Sequence, residues 1–264
     1  MFALAAAVWA QREFRVYDSM EGLRTEAPLP PDFATPAEFV QGRLMYPSGG
    51  RRGFRGGGNW LAGRTTWTID YPKGDRLFAS MLRRLTRIDV RSVEQPVNPE
   101  DGDDIFHWPY LHVALPGAWN LTEKQAAKIR AYLERGGFLM CDSFFGVDEW
   151  QVFEHGMKLI FPDRAIEDIP DSDPILQTVF DIKERHQVAH FPSIVRAGVS
   201  YRNGGDTPHW RAVRDDKGRI MVAICFNNDL GDSWHAADEP LYPEKYSALG
   251  IRIGVNYVVY AMSH

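Results

Sequence analysis

Cysteine is scarce in this 264-residue sequence. The two cysteines, Cys141 and Cys225, each end an apolar run, FLMC and MVAIC, where cysteine behaves as a small hydrophobic residue. They form neither a CxxC pair nor the spacing of a zinc finger. The sequence therefore offers no thiol-redox motif and no cysteine-based metal site, and we expect both side chains in the core.

An excess of positive charge is also missing. Lysine and arginine number 30 against 35 aspartates and glutamates, which gives a formal net charge of -5. A dedicated nucleic-acid binder needs a strongly basic face, because much of its affinity comes from neutralising phosphates. We therefore expect no nucleic-acid partner. The arginines of GGRRGFRGGG, residues 49–58, are a local exception.

Long apolar runs are absent as well. The C-terminal run from Tyr246 to Met262 is short and is interrupted by glycine and polar residues, so no segment is expected to span a membrane. The first ten residues, MFALAAAVWA, end in Val8-Trp9-Ala10, which fits the small-residue rule of a signal-peptide cleavage site, although no positive region precedes them. The alternative is an ordinary helix or tail.

The chain divides into three parts. Residues 1–10 are predicted to be a signal-peptide remnant, residues 11–37 an extended lead-in rich in proline and acidic residues, and residues 38–264 a single domain. From Phe39 onward, short apolar runs alternate with amphipathic segments. This pattern predicts an α/β fold, a doubly wound and mostly parallel sheet flanked by helices, as in flavodoxin-like proteins.

Several elements are predicted from local patterns. Apolar spacing indicates a helix over Gly74 to Arg87, and a strand is expected at IDVRSV, residues 88–93. Thr122 and Gln125 form a capping box at the start of another helix. WRAVRD and RIMVAICF are expected to form a hairpin across 210–226.

The order of these elements resembles the class I glutamine amidotransferase-like fold. Over residues 38–264 the chain is also similar to the family called domain of unknown function 4159, through GRLMY, TIDYP, NLTEKQAAKIRAYLERGGFLMCDSF, FGVDEW, FPDR, MVAICFNNDLGDSW and GVNYVVYAMSH. The resemblance implies a bacterial protein of the periplasm or cell envelope, in a family often fused to transmembrane or von Willebrand-type modules and linked with AAA-type ATPases. It implies no reaction.

The amidotransferase resemblance places a cysteine nucleophile after one strand and a histidine base after a later one. Ser143 stands at the nucleophile position, Asn227 at the histidine and Asp229 near the acid. An asparagine cannot accept a proton at neutral pH, so the triad is expected to be absent and glutaminase activity is not predicted.

Two other hydrolase patterns are incomplete. Ser143 lacks the flanking glycines of a G-x-S-x-G elbow. His186 and His190 have the spacing of a helical zinc pair, but Gln187 replaces the required glutamate and Pro192 argues against a continuing helix.

Polar residues are predicted to meet beyond the carboxyl ends of the strands, where α/β proteins bind ligands. Asp229, Asp232 and His235 follow one strand and Asp142 ends another. Their oxygens suit Mg²⁺ or Ca²⁺, but such aspartates more often cap helices and turns, so no cofactor is predicted and a divalent metal is the alternative. The candidate ligand-binding residues are Arg43, Arg51, Arg52, Arg55, Asp70, Asp142, Ser143, Trp150, Asn227, Asp229, Asp232 and Trp234.

The glycine-arginine loop has two interpretations. It follows the first strand, lacks a Walker motif, and is either an anion-accepting lid or a mobile surface segment. Aromatic residues near the same edge would either stack a sugar or peptide or simply cover the sheet. The leading functional hypothesis is a non-catalytic or diverged amidotransferase-like module that binds a small molecule or an envelope protein. The alternatives are a carboxylate- or metal-dependent hydrolase of a glycan or phosphorylated substrate, and a purely structural module.

Overall fold

The computed structural model describes residues 14–21, 29–49 and 58–264. The predicted signal-peptide remnant, residues 1–10, lies outside these ranges, as do Arg51, Arg52 and Arg55. Within the described ranges, no helix is both long enough and apolar enough to cross a membrane.

In the part of the chain that the structure describes, seven strands form one mixed sheet in the order β2-β1-β3-β4-β7-β6-β5. The strands β2, β1, β3, β4 and β7 run parallel, whereas β6 pairs antiparallel with β7 and β5 antiparallel with β6. The mostly parallel α/β sheet and the β6–β7 hairpin are therefore confirmed. The strands are β1 (Gly42–Leu44), β2 (Gln95–Val97), β3 (Tyr110–Ala114), β4 (Phe138–Asp142), β5 (Glu167–Asp168), β6 (His209–Arg214) and β7 (Ile220–Phe226).

The residues that the structure describes form six α-helices. They are α1 (Lys73–Leu85), α2 (Glu123–Glu134), α3 (Gly146–Ile160), α4 (Phe191–Ala197), α5 (Leu230–His235) and α6 (Glu244–Ser263). Helices α1, α5 and α6 contact one another, and α2 contacts α3. Side chains alternate along β4, so Leu139 and Cys141 join the core with α2 and α3, whereas Phe138 and Met140 join the core with α1 and α6.

One predicted strand is wrong. The segment IDVRSV contributes only an isolated bridge between Val90 and Phe39, and β2 begins later, at Gln95. Arginine side chains bond the backbone carbonyls of this segment: Arg83 Nε donates to Val90 O, and Arg91 donates to the carbonyls of Val93 and Glu94. The apolar residues are buried as expected, but their backbone is not in a ladder.

The predicted capping box is confirmed. Thr122 Oγ1 accepts a hydrogen bond from Gln125 N at 3.2 Å, and the Gln125 amide oxygen accepts one from Thr122 N at 3.0 Å. These two bonds satisfy donors that the first turn of α2 would leave unpaired. Helix α2 in turn places β4 beside β3, and β4 leads into the candidate site.

Candidate functional site

The candidate site lies where β4 and β7 end. The two strands are parallel neighbours, so the residues that follow them, Ser143 and Asn227 to Asp229, come together. Ser143 N donates to Asn228 O and Asn227 N donates to Phe144 O, each at 2.9 Å. The predicted convergence of these residues at the carboxyl edge of the sheet is therefore observed.

Ser143 occupies a tight turn after β4. Its φ is +62°, a left-handed conformation that is uncommon for serine. The hydroxyl donates a hydrogen bond to Asp229 Oδ2 at 2.8 Å. Both residues are almost fully buried. The partner of the hydroxyl is therefore a carboxylate and not an imidazole.

Asn227 uses its side chain to hold the backbone. Its Oδ1 accepts from Gly146 N at 2.9 Å, and its Nδ2 donates to Thr207 O at 2.7 Å. It also has a positive φ, +58°, which asparagine tolerates better than most residues. These bonds tie the start of α3 to the loop before β6. Asn227 thus fixes the shape of the site without any capacity for proton transfer.

A group of acidic residues and histidines surrounds this turn. Asp70, Asp229 and Asp232 are only 4%, 1% and 6% exposed, respectively. Donor atoms of Asp70, Asp232 and His235 lie within 4.8 Å of one another, and those of His190, Asp229 and Asp232 form a second such group. We call these five residues the acidic cluster.

Each member of the acidic cluster is held by a specific contact. Asp229 caps the start of α5 by accepting from Asp232 N at 3.0 Å, and Asp232 Oδ2 accepts from Phe191 N at 2.7 Å. His235 Nδ1 lies 2.9 Å from Asp70 Oδ1. Glu21, in the lead-in, accepts from Asp70 N at 2.8 Å.

Burial and mutual repulsion shift the proton affinities of the acidic cluster. Burial, followed by the charges of Asp70 and Asp142, raises the pKa of Asp229 to about 7. Burial and the charge of Asp229 raise the pKa of Asp232 well above its ordinary value. For His235, burial lowers the pKa, but the hydrogen bond to Asp70 and the negative charge of Asp70 together outweigh burial, so the net shift of the pKa is upward.

His190 is shifted in the opposite direction. Burial, followed by the charge of Arg202, lowers its pKa to about 4. Its Nδ1 lies 2.8 Å from Ser193 Oγ, and it precedes α4 as the N-cap residue. The helical zinc pair that the His186 and His190 spacing suggests does not exist, since α4 begins only at Phe191, with Pro192 in its first turn.

Behind the acidic cluster runs a chain of buried polar groups. Arg43 Nη1 donates to His112 Nδ1 at 2.8 Å, and His112 Nε2 lies 2.6 Å from Asp142 Oδ1. Because a guanidinium can only donate, Nδ1 accepts and the Nε2 proton points to Asp142. Asp142 Oδ2 in turn accepts from Gly231 N at 2.8 Å, in the first turn of α5.

Arg43 is therefore enclosed by the protein. It is 1% exposed and also bonds Asp75 and the carbonyl oxygens of Trp67 and Ile69. Although burial opposes ionisation of Asp75, Arg43 holds the pKa of that carboxyl below its ordinary value. All these contacts of Arg43, a predicted ligand-binding residue, lie within the core.

The two predicted tryptophans lie in different places. Trp234 is fully buried and stacks on Phe78, with ring centroids 4.1 Å apart. Trp150 is partly buried, lies under Arg211 and lines a groove of about 370 Å³ between α3 and the β5–β6 edge. No member of the acidic cluster lines that groove.

The structure thus gathers only some of the predicted residues. Asp70, Ser143, Asp229 and Asp232 lie together, with Asp142 and Asn227 adjoining them. His190 and Glu21 were not predicted as neighbours of the cluster. Pro192, which argues against a continuing helix, could also have indicated a helix start with His190 as its N-cap. Nothing in the sequence indicated that Glu21 returns from the lead-in to this site.

A family model matches residues 60–262, which include β2 to β7 and all five residues of the acidic cluster. The chain belongs to the DUF4159 family, described as a domain of unknown function. The matched range begins after the glycine-arginine loop and ends within α6. It therefore includes Asp70, Ser143, Asp229, Asp232 and His235. No curated protein matches the chain.

Proposed function

We propose that this DUF4159 domain is a diverged member of the class I glutamine amidotransferase-like superfamily that binds a ligand at the carboxyl edge of its sheet without amide hydrolysis. The observation that carries the proposal is the pairing of Ser143 with Asp229. At the position where an amidotransferase has a nucleophile beside an imidazole, the hydroxyl instead donates to a buried carboxylate.

The neighbouring groups support the same conclusion. Cys141 lies within β4, facing the core, and burial followed by the charge of Asp142 raises the pKa of its thiol well above its ordinary value. A thiol in that state supplies little thiolate for attack. Asn227 is committed to two backbone groups.

The proposal of ligand binding rests on the burial of several carboxyl groups in the acidic cluster. Buried carboxylates whose charge is not balanced by a partner destabilise a fold. Ionisable groups with strongly shifted pKa values are concentrated at functional sites. Three lie together here beside a turn with a strained φ. This concentration of buried carboxyl groups supports a binding site at the sheet edge.

Glutamine hydrolysis tests the first part. Purified protein incubated with glutamine should release no ammonia above the buffer blank, and Ser143→Ala should give the same trace. Ammonia release that Ser143→Ala abolishes would overturn the proposal.

Thermal shift tests the second part. Inorganic phosphate, a monosaccharide mixture, a dipeptide mixture and divalent chlorides would each be added to the wild type and to Asp229→Asn. At least one class should raise the melting temperature of the wild type and leave the variant unmoved. Equal responses in both proteins, or no response, would contradict ligand binding at this edge.

A second candidate function is a carboxylate-dependent hydrolase. It is favoured by one observation: the pKa of Asp229 is raised to about 7 beside a buried hydroxyl, and a group with such a pKa exchanges protons efficiently at neutral pH. The wild type would be incubated with chromogenic phosphate esters and chromogenic glycosides. Hydrolysis that is lost in Asp229→Asn would support this second function. No turnover by the wild type would remove this candidate.

We further propose that the chain acts in the bacterial periplasm or cell envelope. The support is the apolar run of residues 1–10 and the resemblance to exported proteins. An alkaline phosphatase fusion after residue 37 should be active in a bacterial host, because that reporter requires export. An inactive but expressed fusion would contradict the proposal.

A further inference from the structure

The acidic cluster brings several carboxyl groups together in the interior. Asp70, Asp229 and Asp232 are buried together, and Glu21 adds a fourth carboxyl at the rim. His235 contacts one of them, Asp70, at 2.9 Å. A buried carboxylate needs a proton, a cationic partner or a metal ion, because the protein interior solvates charge poorly.

One oxygen of Asp70 has no partner. Its Oδ1 is engaged by His235, but its Oδ2 is buried and receives no hydrogen bond in the part of the chain that the structure describes. Buried polar atoms nearly always have a hydrogen-bond partner. An exception at a cluster of carboxyl groups therefore points to a cationic ligand for that oxygen. Both oxygens of Asp229, by contrast, are already bonded, to Ser143 and to Asp232 N.

Gly231 packs directly against this oxygen. A Cβ at position 231 would lie 2.6 Å from Asp70 Oδ2 and 3.6 Å from Asp229 Oδ1. Gly231 N also donates to Asp142, which fixes the turn in place. A larger residue at position 231 would therefore displace the Asp70 carboxylate, which glycine allows to lie beside Asp232 and His235.

The available donors define the class of ion. Asp70, Asp232 and His235 present two carboxylates and one imidazole within 4.8 Å of one another. Imidazole favours borderline transition ions over Ca²⁺ or Mg²⁺, and mixed oxygen and nitrogen sets suit Zn²⁺ and Mn²⁺. The His235 side chain is 21% exposed, so an ion has a route from solvent.

From these observations we infer that Asp70, Asp232 and His235 bind one divalent transition-metal ion, of the Mn²⁺ or Zn²⁺ type, at the unpartnered oxygen of Asp70. This inference rests on the proposed function, because it names a ligand for the same sheet edge. Three protein ligands leave coordination positions free for water or a further ligand.

Metal titration tests the inference. Chelator-treated full-length chain would be titrated calorimetrically with MnCl₂ and ZnCl₂. The wild type should bind one equivalent of at least one of these ions, and Asp70→Asn and His235→Gln should each weaken binding by about tenfold or more. The matched control is Asp173→Asn, which removes one charge from an equally buried carboxyl that pairs with Arg214. It should bind within about twofold of the wild type, a difference below 0.5 kcal/mol.

A spectroscopic measurement and a fourth variant guard against misfolding. Gly231→Ala retains all three ligand residues, but its methyl group would displace the Asp70 carboxylate, so it should also weaken binding while circular dichroism stays unchanged. Co²⁺ bound to the wild type should give visible absorption bands that change in His235→Gln.

Three outcomes would overturn the inference: no binding of Mn²⁺ or Zn²⁺ by the wild type, binding unaffected by Asp70→Asn and His235→Gln, or equal loss in Asp173→Asn. If the chain binds no metal but another ligand class stabilises it through Asp229, the metal inference fails and the proposed function stands. If glutamine is hydrolysed through Ser143, the proposed function fails whatever the metal result.

Discussion

Asp70 and His235 are 165 positions apart in the chain, and their side chains meet with Oδ1 of the aspartate 2.9 Å from Nδ1 of the histidine. Asp70 precedes α1, and His235 ends α5, the two helices that pack together on one face of the sheet. The pair therefore joins the first half of the domain to the last third. The distance between the two side chains depends on the packing of α1 against α5 and not on the positions of the strand ends.

The buried arginine behind the site should be essential for stability. Arg43→Met would leave Asp75 buried without its cation, and breaking a buried pair typically costs about 3–5 kcal/mol. Urea unfolding would measure the loss. Arg130→Met is the matched control, because its ion pair with Asp163 is solvent-exposed and is expected to contribute less than about 1 kcal/mol. Similar losses in the two variants would show that burial of Arg43 is not what matters.

The part of the site that the sequence predicted is the part attached to strands. β4 and β7 are uninterrupted apolar runs, so the positions of Asp142, Ser143 and Asp229 follow from where those runs end and from the parallel pairing. The capping box of α2 was equally local. Such features need only periodicity and neighbouring residues.

The remaining features depend on tertiary contacts. Glu21 enters the site from the lead-in, and no sequence pattern encodes that return. Asp70 was a predicted candidate, but its contact with Glu21 was not predicted. β5 is a two-residue, exposed edge strand, too short for any alternation to mark it. Aromatic residues near strand ends read alike whether they face a ligand or the core. Trp234 is in the core and Trp150 borders a groove, a difference decided by helix packing.

Helix α3 contains a glycine that packing requires. Ala is a better helix former than Gly by about 1 kcal/mol, so Gly156→Ala should stabilise an isolated helix. Here a Cβ at position 156 would lie 2.3 Å from the Trp119 indole nitrogen. We expect Gly156→Ala to lower the free energy of unfolding by about 1–3 kcal/mol, measured by urea titration. Glu154→Ala, two residues earlier, removes a partly exposed side chain in an i,i+4 ion pair with Lys158 and should be within about 0.5 kcal/mol of the wild type. A stabilised Gly156→Ala would mean that Trp119 moves aside freely.

His190 should make the fold sensitive to acid. Its pKa is about 4 in the folded state, against about 6.5 in an unfolded chain. Because the pKa of His190 is lower in the folded state, the stability that depends on neutral His190 is fully present above pH 6.5. This part of the free energy of unfolding is lost as the pH falls from 6.5 toward 4. The loss amounts to about 3 kcal/mol by linkage.

The measurement is the melting temperature in chelator-containing buffer between pH 7.5 and 4.5. His190→Gln should flatten the acid side of the profile relative to the wild type, and His186→Gln, at an exposed position, should leave it unchanged. A profile that is just as steep in His190→Gln would assign the acid sensitivity to other groups.

Charge repulsion in the acidic cluster gives a last prediction, in which the sign of the effect depends on metal. In chelated protein, Asp232→Asn removes one of three crowded carboxylates while its amide oxygen still accepts from Phe191 N. The variant should therefore melt at a higher temperature than the wild type, by about 2–4 °C for each kcal/mol of repulsion relieved.

With Mn²⁺ at about 100 times its dissociation constant, the wild type should gain about 2.7 kcal/mol by mass action and overtake the variant, which has lost a ligand. Asp173→Asn should instead melt below the wild type in both buffers, because it weakens an ion pair with Arg214 and relieves no repulsion. If Asp232→Asn melts lower than the wild type without metal, the three carboxylates are balanced by the protein itself and the argument for an ion between them falls.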